Sequence, residues 1–236
     1  MIAGRYEKKI AIISVAFAFI TFITFLISFI EFVSAQGLNG DIFPIDSRPY
    51  NSTYGDWSAK WWKWALSIPE ENNPVTDPTG EKCAINQEGP VWFLAGTTGG
   101  AVNRECDVPA GKAILFSPLN IECSFAEFPA MKTEQELRDC AQWPGASVKA
   151  SIDGKNIEGI EQFEVQSPLF DVTLPESNIF GAPAGPTKAV SGGWWVLIKP
   201  LSPGNHQLSF GGSVVDNPTT GTQSFATEAT YNLNVK

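Results

Sequence analysis

One stretch near the C-terminus constrains the fold more than any other. Phe225, Thr227, Ala229, Tyr231, Leu233 and Val235 alternate with Ala226, Glu228, Thr230, Asn232 and Asn234. Successive side chains of a β-strand point to opposite faces, so this run reads as a strand with one buried face and one wet face. A strand of that kind requires a sheet. The sheet in turn requires a second layer over its apolar side.

Shorter runs repeat the signal. Val91 to Ala95 and Ala113 to Phe116 are apolar, with a turn at Pro109-Ala110-Gly111 before the second. Val148 to Ile152 alternates and is followed by Asp153-Gly154, a two-residue hairpin turn. Phe163 to Val165 and Phe170 to Leu174 alternate likewise. Trp194 to Ile198 is apolar on both faces and reads as a central strand, which Pro203-Gly204 turns into His206 to Phe210. The sequence from Pro175 to Gly193 is rich in Gly and Pro and reads as a long surface loop.

Two helices interrupt the strands. Thr53 and Asp56 stand at capping-box spacing, and Trp57, Trp61, Trp64, Ala65 and Ile68 recur on one helical face until Pro69. Trp62 and Leu66 fall on the far side of that helix. Thr133 and Glu136 form a second box before a short helix to Gln142. The fold expected is mainly β: an antiparallel β-sandwich, jelly-roll or immunoglobulin-like, with an N-terminal Trp-rich helix and one short inserted helix.

The N-terminus addresses the chain. Arg5, Lys8 and Lys9 precede Ile10 to Ile30, which holds no charged residue, and Val33-Ser34-Ala35 offers a cleavage site before Gln36. This order is that of a secretory signal. The apolar run is long for one, however, and as a helix would reach roughly 30 Å, enough to stay as an anchor. Residues 1–35 are therefore read as signal peptide or membrane anchor, 36–52 as a polar lead-in or tether, and 53–236 as one extracellular domain.

Cysteine usage agrees with export. Cys83, Cys106, Cys123 and Cys140 all lie beyond the targeting segment, and an even count outside the cell favours two disulfides. Three connectivities are open. The pairs Cys83–Cys106 and Cys123–Cys140, each bracketing a local loop, are preferred. No C-x-x-C pair supports zinc. The formal net charge of −9 disfavours nucleic acid and anionic lipid as partners, leaving membrane contact to the N-terminal segment alone.

Several segments together resemble a known family. They are Tyr54-Gly55 with the Trp-rich helix ending Leu66-Ser67-Ile68-Pro69, then Gly89-Pro90-Val91-Trp92-Phe93-Leu94, Val108-Pro109-Ala110-Gly111-Lys112, and Lys199-Pro200-Leu201-Ser202-Pro203-Gly204-Asn205-His206. They resemble a family of uncharacterised exported proteins encoded in archaeal and bacterial genomes. That family has no assigned activity. The resemblance implies a single exported domain and transfers no site residue.

Candidate sites are few. Trp62, off the helix stripe, is either covered by another layer or exposed to bind a ligand. The carboxylates Asp77, Glu81, Glu122 and Glu127 lie near the cysteine-bracketed loops, where a suitable pair would serve hydrolysis and a cluster would take calcium. No other cofactor is expected. His206, the single histidine, would have to serve any Ser-His-Asp site. Asn51-Ser52-Thr53 is a glycosylation acceptor pattern at Asn51. The function expected is an exported cell-surface binding or structural module taking extracellular glycan or protein, with Trp62 and the Pro175–Gly193 stretch as binding candidates. The rival is a secreted polysaccharide hydrolase acting through carboxylates such as Glu122 and Glu127.

Overall fold

In a computed structural model, which describes residues 41–216 and 223–236, the chain folds as a β-sandwich with helices on one of its sheets. The signal or anchor expected over residues 1–35 lies outside the described residues. Among the described residues no helix is long and apolar enough to cross a membrane.

The first sheet contains β1 (Val91–Phe93), β3 (Ala113–Ser124), β6 (Glu164–Gln166), β7 (Phe170–Leu174) and β8 (Gly185–Ile198). β3 lies between β1 and β8, while β6 and β7 both pair with the other edge of β8. The second sheet runs in the order β2 (Gly100–Val108), β10 (Phe225–Val235), β9 (Gly204–Val214), β4 (Ser147–Ile152) and β5 (Lys155–Asn156). Pairing is antiparallel except between β1 and β3 and between β2 and β10, which run parallel. The all-antiparallel expectation is corrected at those two places, because crossover segments return each strand in the same direction.

The sheets meet through inward residues such as Phe116 and Phe210, with ring centroids 4.7 Å apart. Trp195, Val196, Leu197 and Ile198 are buried on both faces of β8. Each such aliphatic or aromatic side chain contributes about 1.5–3 kcal/mol on burial. The second cover for β8 is helix α1 (Tyr54–Ser67), whose Trp61 packs edge-on against Trp195 at 5.4 Å. Thr53 caps this helix reciprocally with Asp56. Its three stripe tryptophans also donate their indole N–H groups to carbonyls: Trp57 to Pro49, Trp61 to Leu94 and Trp64 to Ile85. Helix α2 (Glu134–Cys140) seats Leu137 against Cys123, Ala141 and Val190.

Two expectations about loops are overturned. Residues 41–52 are no tether. Ile42 is buried and bridges Ile198, and the Tyr54 hydroxyl donates to the Phe43 carbonyl at 2.5 Å. The apolar Ile42 and Phe43 extend the first sheet, and Pro49 supplies the carbonyl that satisfies Trp57. The Pro175–Gly193 stretch is likewise no single loop, since β8 begins at Gly185. Two of its glycines, Gly192 and Gly193, serve close packing. A Cβ on Gly192 would stand 2.0 Å from the Ala141 carbonyl oxygen, and one on Gly193 would stand 2.4 Å from that of Leu119. Glycine inside a strand marks such close backbone approach.

Disulfides join Cys83 to Cys106 and Cys123 to Cys140. The first fastens the loop after α1 to β2, and the second fastens β3 to α2. Two such bridges belong to an oxidising, extracellular environment. Replacing Cys123 and Cys140 together by serine is expected to cost about 3 kcal/mol. Chemical denaturation of the variant checks this, and an unchanged midpoint would show that α2 holds without its bridge.

Candidate functional site

β3 positions the site through its alternation. Cys123 pairs with Val190, and both face α2. Glu122 pairs with Ser191, whose hydroxyl lies 3.1 Å from that of Ser58 on α1. Residues paired across an antiparallel ladder share a face. Glu122 therefore leaves the sheet on the side covered by α1, beneath the helix that carries Trp61 and Trp62.

A cavity of about 320 Å³ opens there. Trp61, Trp62 and Phe180 form its aromatic side, Ser117 to Glu122 its strand side, and Glu127 and Phe128 close it from the turn after β3. Phe128 and Phe180 rim this cavity and are each 39% exposed, which places them among the few large hydrophobic side chains left open to water. An apolar pocket with a few convergent polar groups is where ligands bind. Trp62 is only 7% exposed and stands 6.0 Å from Phe180, ring to ring. It is a wall of the cavity, not the open stacking platform that exposure off the stripe would have made it.

Two polar groups in this wall lack partners. The indole N–H of Trp62 makes no hydrogen bond, and the carboxyl of Glu122, a residue 4% exposed, lies against the Glu127 side chain without a well-formed bond to it. Burial pushes the Glu122 carboxyl well above the ordinary carboxylate range. The side-chain contact with Glu127 and then that neighbour's negative charge push the same way, and the Ser124 hydroxyl pulls back only in part. Glu127 itself is held by the Ser124 hydroxyl at 2.7 Å. Among the described residues, no lysine, arginine or histidine lines the cavity. Unpartnered buried polar groups cost about 1–3 kcal/mol each. Water or a ligand completes such groups, and the indole N–H groups of Trp92, Trp143 and Trp195, none of which lines this cavity, share the same state.

The other carboxylates lie elsewhere. Asp77 is buried, but its oxygens accept from the backbone N–H groups of Thr79 and Lys82 and from the Thr79 hydroxyl. Those bonds outweigh burial and lower its pKa. Glu81 is exposed in the same loop. Among the described residues, no group of three or more His, Cys, Asp or Glu side chains gathers as a metal site would need, so calcium has no cluster to rest on. Asn51 is exposed at the end of a 3-10 turn over Pro49–Asn51.

His206 does meet a serine and an aspartate, but the arrangement is a clasp. Its Nδ1 lies 2.8 Å from Asp153 Oδ2, and its Nε2 lies 3.0 Å from the Ser202 carbonyl and 3.4 Å from the Ser202 hydroxyl. A carboxylate and a carbonyl only accept, so in the protonated ring both nitrogens act as donors and none is left to take a proton from Ser202. Partial burial pulls the His206 pKa down, and the bonds to Asp153 and Ser202 outweigh it, so the value rises above 6.5. The clasp therefore supports the fold fully below pH 6.5 and fades as pH climbs through the raised value. An NMR titration of the imidazole is expected to show a midpoint above 6.5. A midpoint below that value would mean the Asp153 contact is not formed in solution.

Sequence reasoning missed Arg104. It sits in β2 between Val102 and Cys106 in the inward register, and its guanidinium is fully buried. It donates to the carbonyls of Asp77, Ala95, Gly96 and Val75 and to the Tyr231 hydroxyl. Val75 and Gly96 also line the cavity, so Arg104 holds part of its wall from behind. The signal was the alternation of Val102, Cys106 and Val108, with an arginine standing where an apolar residue belongs.

No protein-family model matches the sequence, and no curated protein does. Among solved structures, a chain from the structure of PbICP-C in complex with falcipain-2 is similar at 13% identity and a TM-score of 0.25, over 63% of this chain and 100% of that one. So slight a likeness carries no argument about fold or partner.

Proposed function

We propose that this protein is an exported binding module of the cell surface, and that it takes its extracellular ligand, glycan or protein, into the cavity between α1 and β3. The observation that carries this is the pairing of open aromatic rims, Phe128 and Phe180, with buried unpartnered polar groups, Trp62 Nε1 and the Glu122 carboxyl. Aromatic faces supply contact area, and the polar groups supply orientation. The targeting segment and the two disulfides support export. The resemblance to exported archaeal and bacterial proteins agrees with it. Whether the mature chain is secreted or tethered is decided by its intact mass: a chain beginning at Gln36 rules out the anchor.

The test is a panel of cell-wall oligosaccharides, exopolysaccharide fragments and peptides read by tryptophan fluorescence and NMR. Ligands are expected to weaken at least about tenfold, the equivalent of about 1.4 kcal/mol, with Trp62→Phe, a change that keeps an aromatic side chain of smaller area and removes the N–H donor. Equal affinity for both proteins would move the site away from Trp62.

A second reading, a carboxylate-dependent polysaccharide hydrolase, has one observation in its favour. Glu122 is a carboxyl held towards its protonated form beside a second carboxyl, which is the division of labour between a general acid and its partner. Glycosidase carboxyls keep about 5 Å or more between them, whereas the side chains of these two interact directly. Release of reducing sugar that Glu122→Gln abolishes would establish the hydrolase over the binder.

A further inference from the structure

The edge of β3 that β1 leaves unpaired points to a kind of ligand. β1 pairs with β3 only as far as Phe93 opposite Leu115. The chain then crosses to the second sheet as β2, while β3 continues to Ser124. Among the described residues no strand lies beside β3 from Ser117 onward on that side. Pro118, which has no N–H to offer a neighbour, stands at the irregularity between Phe116 and Leu119 where β1 departs.

The direction of the free backbone groups follows from the ladder. Ser191 gives its carbonyl to the Ser167 N–H at 2.8 Å, so its main chain is turned away from β3. Its partner Glu122 is then turned away from β8, because opposed residues in an antiparallel pair either both exchange hydrogen bonds or neither does. Phe125 donates to Lys188 at 3.2 Å, in step with that alternation. By the same period of two, Asn120 points outward with Glu122. Two residues at strand spacing thus turn their N–H and C=O groups away from β8, and both residues line the cavity.

We propose that this edge of β3 receives an extended peptide of a partner protein, whose lysine or arginine side chain enters the cavity between Glu122, Glu127 and the rings of Trp61 and Trp62. Added strands gain affinity from main-chain bonds and specificity from pockets for alternate side chains. The basic side chain is chosen by charge: among the described residues the cavity wall has two carboxyls and no base. A cation between them would favour the ionised form of Glu122 that burial disfavours. The Trp62 N–H, a donor without an acceptor, suits a peptide carbonyl. Glycans offer no matching ladder of donors and acceptors. The proposal rests on the binding reading of the same cavity.

Four pools of capped pentapeptides with randomised β-branched flanks test it, the central position being lysine, arginine, norleucine or glutamate. Lysine and arginine pools are expected to shift the amide resonances of Asn120 and Glu122. They should also bind at least about tenfold tighter than the norleucine pool, as a charge-assisted bond of about 1.5 kcal/mol or more requires. N-methylation of alternate peptide amides should remove the shifts, and Glu122→Gln should remove the preference over norleucine. Equal binding of norleucine and lysine pools would overturn the proposal. So would shifts caused by oligosaccharides alone, although the cavity would then stand as a binding site. Failure of every peptide and every oligosaccharide would overturn both readings.

Discussion

Replacing Arg104 by methionine is expected to destabilise the domain by at least about 3 kcal/mol, measured as a lowered midpoint in urea unfolding. The expectation follows from what the guanidinium satisfies. It reaches Asp77, Val75, Ala95 and Gly96 carbonyls at 2.7–3.0 Å and the Tyr231 hydroxyl at 2.9 Å. Methionine fills similar space but leaves those carbonyls without donors, at about 1–3 kcal/mol for each that stays buried. Only the Ala95 oxygen keeps another partner, the Tyr231 hydroxyl at 2.8 Å. Lysine would not rescue the loss, because its compact ammonium cannot span carbonyls on both sides of the strand. Against a total stability of about 5–15 kcal/mol, such a loss leaves a marginal domain. A loss below about 1 kcal/mol would mean that the loop at Val75–Asp77 and the crossover at Ala95–Gly96 are held by something else.

Arg104 also shows where sequence reasoning stops. The last strand was legible because Phe225 to Val235 carries its alternation with few exceptions, and α1 because Thr53 and Asp56 announce its start and Pro69 its end. β2 was not. Asn103, Glu105 and Asp107 cover its outer face, and Arg104 interrupts its inner one. What makes it a strand is parallel pairing with β10, a partner more than a hundred residues away. The glycines of β8 misled in the opposite direction. Gly192 and Gly193 read as loop, yet they are present because Ala141 and Leu119 carbonyls press against the strand. The candidate site divides in the same way. Trp62, Glu122 and Glu127 were each singled out, because a tryptophan off the stripe and acids near cysteines are visible in a sequence. Their meeting depends on the β3–β8 register beneath α1, which no local pattern encodes.

Glu122 then yields a prediction that separates a functional residue from a structural one. Glu122→Gln is expected to stabilise the domain at pH 7 by about 1–3 kcal/mol, the scale of an unpartnered buried polar group relieved of its charge. The sign depends on pH. Burial and the Glu127 charge raise the folded-state pKa above the unfolded value of 4.5, so the folded protein binds the proton more tightly than the unfolded chain. Wild-type stability is therefore highest below pH 4.5 as far as this group is concerned, and falls as pH rises towards the raised value. The advantage of glutamine should vanish below pH 4.5 and grow above it, in denaturation series run side by side. A glutamine variant less stable than wild type at pH 7 would show that Glu122 is satisfied within the fold, and its carboxyl would then be structural. A more stable variant that no longer prefers the lysine pool would mean the domain forgoes stability to keep an ionisable carboxyl in the wall of its cavity. Residues bearing that signature serve function rather than folding, since selection for stability alone would have replaced them.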